Sequence, residues 1–316
     1  MSEIRKTTAT VQQELLRSLL YFGIFSYPLT PKELKRFCRT LTTLEEVEHE
    51  LNSLEKGGYV KQNTGLYSTA DQDINLIVSR RLKGNLEAEK MLKIAQRYSK
   101  LISYFPFVRG VYLSGSLSKG YADETSDVDY FIITEPGRLW LCRMFLVLFK
   151  RVFLLNSHKY FCVNYFIDTT NLEIEDKNIF TATELATLIT TSNTSLYRKL
   201  MQANPWVKDF FPNTLMESVS GEINPANNSI VKRSFEKLFP GKIGDTLDDF
   251  CFKITIKQWR KKFKNLSDSE FELNLRSKKD VSKHHPRGFQ LKVLSALDEK
   301  VKDFEQKFNV RLFNNG

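Results

Sequence analysis

The chain has 316 residues, of which 41% are hydrophobic and 27% charged. That balance excludes a disordered chain and leaves room for two or three packed domains. A net charge of +10 favours anionic partners such as nucleotides, nucleic acid or phosphorylated metabolites. Roughly +8 of it lies after Asn228. Cys38, Cys142, Cys162 and Cys251 form no Cys-x-x-Cys pair. Zinc and disulfide frameworks are therefore disfavoured, and buried reduced thiols in the cytoplasm are expected. The polar first ten residues do not read as a secretion signal.

The first seventy residues predict three helices and a hairpin. Gln12 to Phe25 places Leu15, Leu16, Leu19, Leu20 and Ile24 on one apolar face. Thr30-Pro31-Lys32-Glu33 reads as an N-cap, a proline at the first helical position and a capping box. Thr42 or Thr43, with Glu45 or Glu46 three residues on, starts a third helix that runs toward Gly57-Gly58. Tyr59–Lys61 and Leu66–Ser68 read as strands joined by Asn63-Thr64-Gly65. This order of elements resembles a winged helix. Many such domains bind DNA through the third helix. Here that helix carries Glu45, Glu46, Glu48, Glu50 and Glu55, which would repel phosphate. Sequence-specific DNA binding is thus not expected, and a structural or protein-binding role is.

Asn75 to Tyr104 predicts a long, partly basic helix with its charges on a solvated face. Then follow a strand at Val108–Ser114, a strand at Val128–Thr134, a helix at Arg138–Asn156 and a strand at Tyr160–Asp168. Arg143, Lys150 and Arg151 interrupt the apolar run from Leu139 to Leu155. Their spacing places them on one helical face, so an amphipathic helix burying the opposite face is expected, not a membrane span. Beyond Phe180 the pattern is mostly helical.

Chemistry concentrates between the first two of these strands. Gly115-Ser116 ends one apolar run, and Asp127-Val128-Asp129 opens the next. Alternation along a strand sends both aspartates to one face. Two carboxylates that close repel each other unless a cation lies between them, and oxygen ligands suit magnesium or manganese. Gly115 permits a tight turn, Ser116 offers a hydroxyl and an N–H to a phosphate, and Lys119 adds positive charge.

Gly115-Ser116, ten residues, then Asp127-Val128-Asp129 resembles the signature of the DNA polymerase β-like nucleotidyltransferase superfamily. The likeness covers about Val108 to Asp168. It implies that Gly115 and Ser116 hold a triphosphate, ATP or another, while Asp127 and Asp129 bind the metal ions. A hydroxyl or other nucleophile then attacks the α-phosphorus and pyrophosphate leaves. The family places a third acid early in the strand after the long helix. Asn164 stands at that place here; its carbonyl could ligate a hard cation. Asp168 shares its face by alternation and is the other candidate, with Glu173 and Glu175 more remote.

Two basic stretches carry a weaker signal. Lys278, Lys279, Lys283, His284, His285 and Arg287 could grip an RNA backbone, or form a solvated loop. Lys257 to Lys264 interleaves cations with Trp259 and Phe263, as base-stacking segments do and as ordinary amphipathic helices do more often.

The expected class is α+β. A winged-helix-like domain (1–72) and a connecting helix (73–105) precede a mixed-sheet transferase core (106–220) and a basic helical region (221–316). The expected function is magnesium- or manganese-dependent nucleotidyl transfer, with RNA, a small molecule or a protein side chain as acceptor. The alternative is a non-catalytic nucleotide- or RNA-binding protein that lost the third acid.

Overall fold

A computed structural model describes residues 10–157, 159–214 and 229–312. Helices α1 (Val11–Gly23), α2 (Pro31–Phe37) and α3 (Leu44–Lys56) open the chain. Thr10 and Thr30 form capping boxes with Gln13 and Glu33, and Thr43 caps the third helix. Strands β1 (Val60–Asn63) and β2 (Leu66–Thr69) pair antiparallel. Thr64 and Gly65 between them both have positive φ, which suits the right-handed twist of a tight hairpin.

Helix α4 (Ile74–Ser103) leads into the central sheet. At its Gly84 an added Cβ would fall 2.2 Å from the Tyr121 ring. The missing side chain lets the loop after Gly115-Ser116 press onto the helix backbone, where the Ala122 N–H donates to the Gly84 carbonyl. Arg81 on the same helix donates to Glu33 at 2.8 and 2.9 Å, donates to the Pro28 carbonyl and stacks on Tyr27. It is buried, so Arg81→Ala would leave Glu33 without its counter-charge. A loss of about 3 kcal/mol in unfolding free energy is expected from urea titration. A change below about 0.5 kcal/mol would show that the pair contributes no more than an exposed one.

The sheet is built from β3 (Val108–Ser114), β4 (Asp129–Thr134), β5 (Cys162–Asp168), β6 (Ile189–Ser192) and β7 (Val281–Lys283). Their spatial order is β6-β3-β4-β5-β7, with β4 and β5 parallel and the other pairs antiparallel. The parallel pair is joined through α5 (Leu139–Phe153), as a parallel connection requires. After β5 come α6 (Ile179–Ala186), α7 (Thr194–Ala203) and α8 (Val207–Phe210). Helices α9 (Ile230–Glu236), α10 (Gly241–Lys262), α11 (Asp268–Asn274) and α12 (Phe289–Phe308) complete the described chain.

Both faces of the mixed sheet are covered. Val111, Leu113, Tyr130, Ile132 and Phe166 pack with residues of α4, α5 and α10. Tyr112, Phe131, Ile133 and Ile167 pack with α6, α7 and α12, and this cluster runs on into Leu15, Leu19, Leu34 and Leu51 of the first three helices. The N-terminal unit therefore shares a core with the sheet.

The region beyond Phe180 is mostly helical, as expected, and it also supplies β6 and β7, the two edges of the sheet. Four and three residues are too few to show a period of two. The charged stripe expected on the solvated side of α5 is corrected: Arg143 and Lys150 are buried and Arg151 is exposed, while the apolar Val152 and Phe153 are 65% and 70% exposed. Helix α10 brings Trp259 over Arg143, whose guanidinium lies 4.7 Å from the ring centroid and 5.8 Å from that of Phe166. Burial lowers the Arg143 pKa to about 10. Among the described residues no helix is long and apolar enough to cross a membrane, and all four cysteines are buried and free.

Candidate active site

Strand β3 ends at Ser114, and Gly115 turns the chain with φ +68°. An added Cβ there would lie 2.4 Å from Asp129 Oδ2. Gly115 thus allows the turn to close directly onto the carboxylate at the head of β4. Ser116 leads into a short 3-10 turn at Leu117–Lys119, which Gly120 closes with φ +73°. The Ser118 hydroxyl donates to the Gly115 carbonyl at 2.8 Å and fixes the turn from inside. The Tyr27 hydroxyl donates to the Lys119 carbonyl at 2.9 Å, so the N-terminal unit braces the same turn.

Asp129 is partly buried and Asp127 is exposed, with Val128 between them turned into the opposite core. The Asp129 carboxyl is pushed up to about 7. Burial is the main cause, the charge of Glu184 comes next and that of Asp127 third. Asn164 Nδ2 donates to Asp129 Oδ1 at 2.7 Å, and Asn164 Oδ1 accepts from Cys162 Sγ at 3.1 Å. In this arrangement the amide is a donor to the carboxylate, and its carbonyl is turned away from it.

Asp168 is not on that face. Asp129 pairs with Cys162 and Tyr130 with Val163, but Phe131 pairs with Tyr165, so a bulge falls at Asn164. The extra residue reverses the alternation. Phe166 then faces the core of α5 and α10, and Asp168 lies opposite Thr134 at the far end of the strand. Its carboxylate accepts from the Thr170 amide and hydroxyl at 2.8 and 2.5 Å. The face shared by Asn164 and Asp168 in the sequence reading is corrected by this bulge. Glu173 pairs with Lys177, and Glu175 with Lys278 and Arg276.

The sequence reading missed Glu184 on α6. Its Oε2 accepts from the Gly115 N–H at 3.1 Å, and its Oε1 accepts from Lys119 Nζ at 2.8 Å. The available signal was a lone charge in Ile179–Ala186, a helix otherwise free of ionisable side chains. Among the described residues, no group of three or more His, Cys, Asp or Glu side chains is placed to hold a metal ion.

Residues 88–186 match the family model described as a nucleotidyltransferase domain. The match runs from α4 to the end of α6 and takes in Gly115, Asp127, Asp129, Asn164 and Glu184. No curated protein and no solved structure matches the chain.

The basic cluster at 278–287 lies beside the matched region but is largely engaged within the fold. Lys283 is buried and donates to Asp176 at 2.9 Å and Gln290 at 2.8 Å. Arg276 donates to the same Asp176 at 2.8 Å, Lys278 pairs with Glu175 and Lys279 with Asp249. The His284 ring lies 4.7 Å from that of Trp259, and the His284 backbone N–H donates to the Asn164 backbone carbonyl at 2.9 Å. Burial lowers the pKa of His284 to about 3 and of His285 to about 4, so neither carries charge at neutral pH.

Proposed function

We propose that this chain is a metal-dependent nucleotidyltransferase that moves a nucleoside monophosphate from a nucleoside triphosphate to an acceptor. The carrying observation is the closure of the Gly115 turn onto Asp129, which puts a turn suited to an anion against an oxygen ligand suited to a metal. Asp127 and Asp129 are oxygen donors of like charge, and their repulsion helps raise the Asp129 carboxyl. Such a pair fits magnesium or manganese. A bound divalent cation would supply positive charge between the carboxylates and the phosphates.

The chain's own residues would do the rest. The turn at Gly115 and Ser116 orients the triphosphate, Lys119 stands at the turn paired with Glu184, and Asn164 holds Asp129 Oδ1 in place. The acceptor loses a proton and bonds to the α-phosphorus. The bond from the α-phosphorus to the bridging oxygen breaks, and pyrophosphate leaves with the electron pair.

Asn164 favours a second reading, a nucleotide-binding protein without turnover, because it supplies no charge where the family has an acid. Label transfer from each α-labelled nucleoside triphosphate, with magnesium or manganese, total RNA and protein extract, separates the two. Label on an acceptor, lost in Asp127→Asn, supports transfer and names the acceptor class. Metal-dependent binding without transfer selects the second reading. In either case Asn164→Asp is expected to tighten magnesium about tenfold or more, read by calorimetry. An unchanged affinity would remove Asn164 from the metal site.

The three N-terminal helices and hairpin are proposed to act as a winged-helix-like protein-binding unit. The acids Glu45, Glu46, Glu48 and Glu55 on the exposed side of α3 support this over nucleic acid. RNA as acceptor rests on net charge alone, and the internal pairing of Lys278, Lys279 and Lys283 weakens it.

A further inference from the structure

Two donors at the phosphate turn, the Gly115 N–H and Lys119 Nζ, already hold one carboxylate. Glu184 Oε2 takes the Gly115 N–H and Glu184 Oε1 takes Lys119 Nζ. The ammonium also donates to the Gly115 carbonyl at 2.9 Å, so the three groups form a closed ring. Helix α6 holds Glu184 firmly: Asn178 caps its N-terminus, Ala182 and Leu185 are buried on its inner side, and the Thr187 hydroxyl lies 3.2 Å from that of Ser118. Glu184 and Lys119 side chains keep 25% and 17% exposure, so solvent and ligands reach them. Asp129 adds a further carboxyl group against the same turn, and Asp127 stands two residues before it.

We propose that Glu184 is a built-in counter-anion that closes the phosphate turn to a bare triphosphate, so that the site takes nucleotide only as its metal complex. The proposal rests on the nucleotide-binding reading above. A free triphosphate meets three carboxyl groups, and the ammonium that would attract it is already neutralised. A metal-bound triphosphate brings its own positive charge to Asp127 and Asp129 and does not need Lys119 released first. Glu184 is a positioning residue here, setting the form in which substrate enters.

The test is equilibrium binding of a fluorescent nucleoside triphosphate and of inorganic tripolyphosphate, each in EDTA and in magnesium. Wild type is expected to bind the nucleotide in magnesium and to bind neither probe detectably in EDTA. Glu184→Gln keeps the shape and can still accept from the Gly115 N–H, but frees the Lys119 charge. It should gain binding of both probes in EDTA by about tenfold or more, with less than about threefold change in magnesium. Glu184→Ala should behave alike. If both variants stay as weak as wild type in EDTA, or bind more weakly in magnesium, Glu184 only clamps the turn and the proposal falls alone. If wild type binds no nucleotide in magnesium or manganese, the nucleotide reading falls and takes the proposal with it.

Discussion

Asp129→Asn is expected to abolish nucleotidyl transfer and, in the metal-free protein, to raise stability at alkaline pH. The first effect follows from its place. The carboxylate sits at the head of β4 with one oxygen on Asn164 and the other against Gly115. Asparagine fills the same space without the charge, so a loss of about a thousandfold is expected, several kcal/mol of transition-state stabilisation. The second effect follows from the raised pKa, about 7 in the folded chain against an ordinary aspartate value when unfolded. Between about pH 4 and 7 the folded chain holds a proton that the unfolded chain has lost. Stability therefore falls as pH rises through that window, and the full penalty stands above it. Removing the carboxyl lifts a penalty of about 2–4 kcal/mol at pH 8 and changes little near pH 4. Urea unfolding in EDTA at the two pH values reads it directly. An equal shift at both would mean that the carboxyl is not raised by its neighbours. Magnesium should stabilise wild type at pH 8 and leave Asp129→Asn unmoved.

Gly115→Ala is expected to cost about 1–3 kcal/mol of stability and about a hundredfold in affinity for the metal–nucleotide complex. The φ of +68° is strained for alanine whatever space surrounds it. The space is also taken: the new methyl would stand 2.4 Å from Asp129 Oδ2. Either the turn opens or the carboxylate moves, and both displace the proposed anion seat from the proposed metal seat. Thermal melts and nucleotide titration would separate the parts. A variant that folds less stably yet binds nucleotide as well as wild type would show that this contact does not set the site.

Thr30 and Glu33, Thr43, Gly57 and the Thr64-Gly65 turn act within a few residues, and the structure shows helices and a hairpin at those places. The strand at Val108–Ser114 and the helix from Leu139 are likewise written in local periodicity. The Gly115 turn and the Asp-x-Asp pair are adjacent in space because β3 and β4 are neighbours joined by one loop, so Ser114 pairs with Asp129.

What the sequence by itself determined is therefore local: caps, turns, long amphipathic runs, a glycine turn at the end of β3 and an Asp-x-Asp pair at the head of β4. Tertiary structure alone decided the rest. The bulge at Asn164 depends on how β5 docks on β4, and one extra residue there sends Asp168 to the other face. Glu184 reaches Gly115 across 69 positions of sequence because α6 packs beneath the turn. Arg143 and Lys283 are charged residues of kinds usually found at the surface, yet Trp259 of α10 covers the first and Asp176 pairs with the second. Spacing along a chain records which side chains share a face of one element. Which element covers that face is set by long-range packing, and no short window of sequence carries that information.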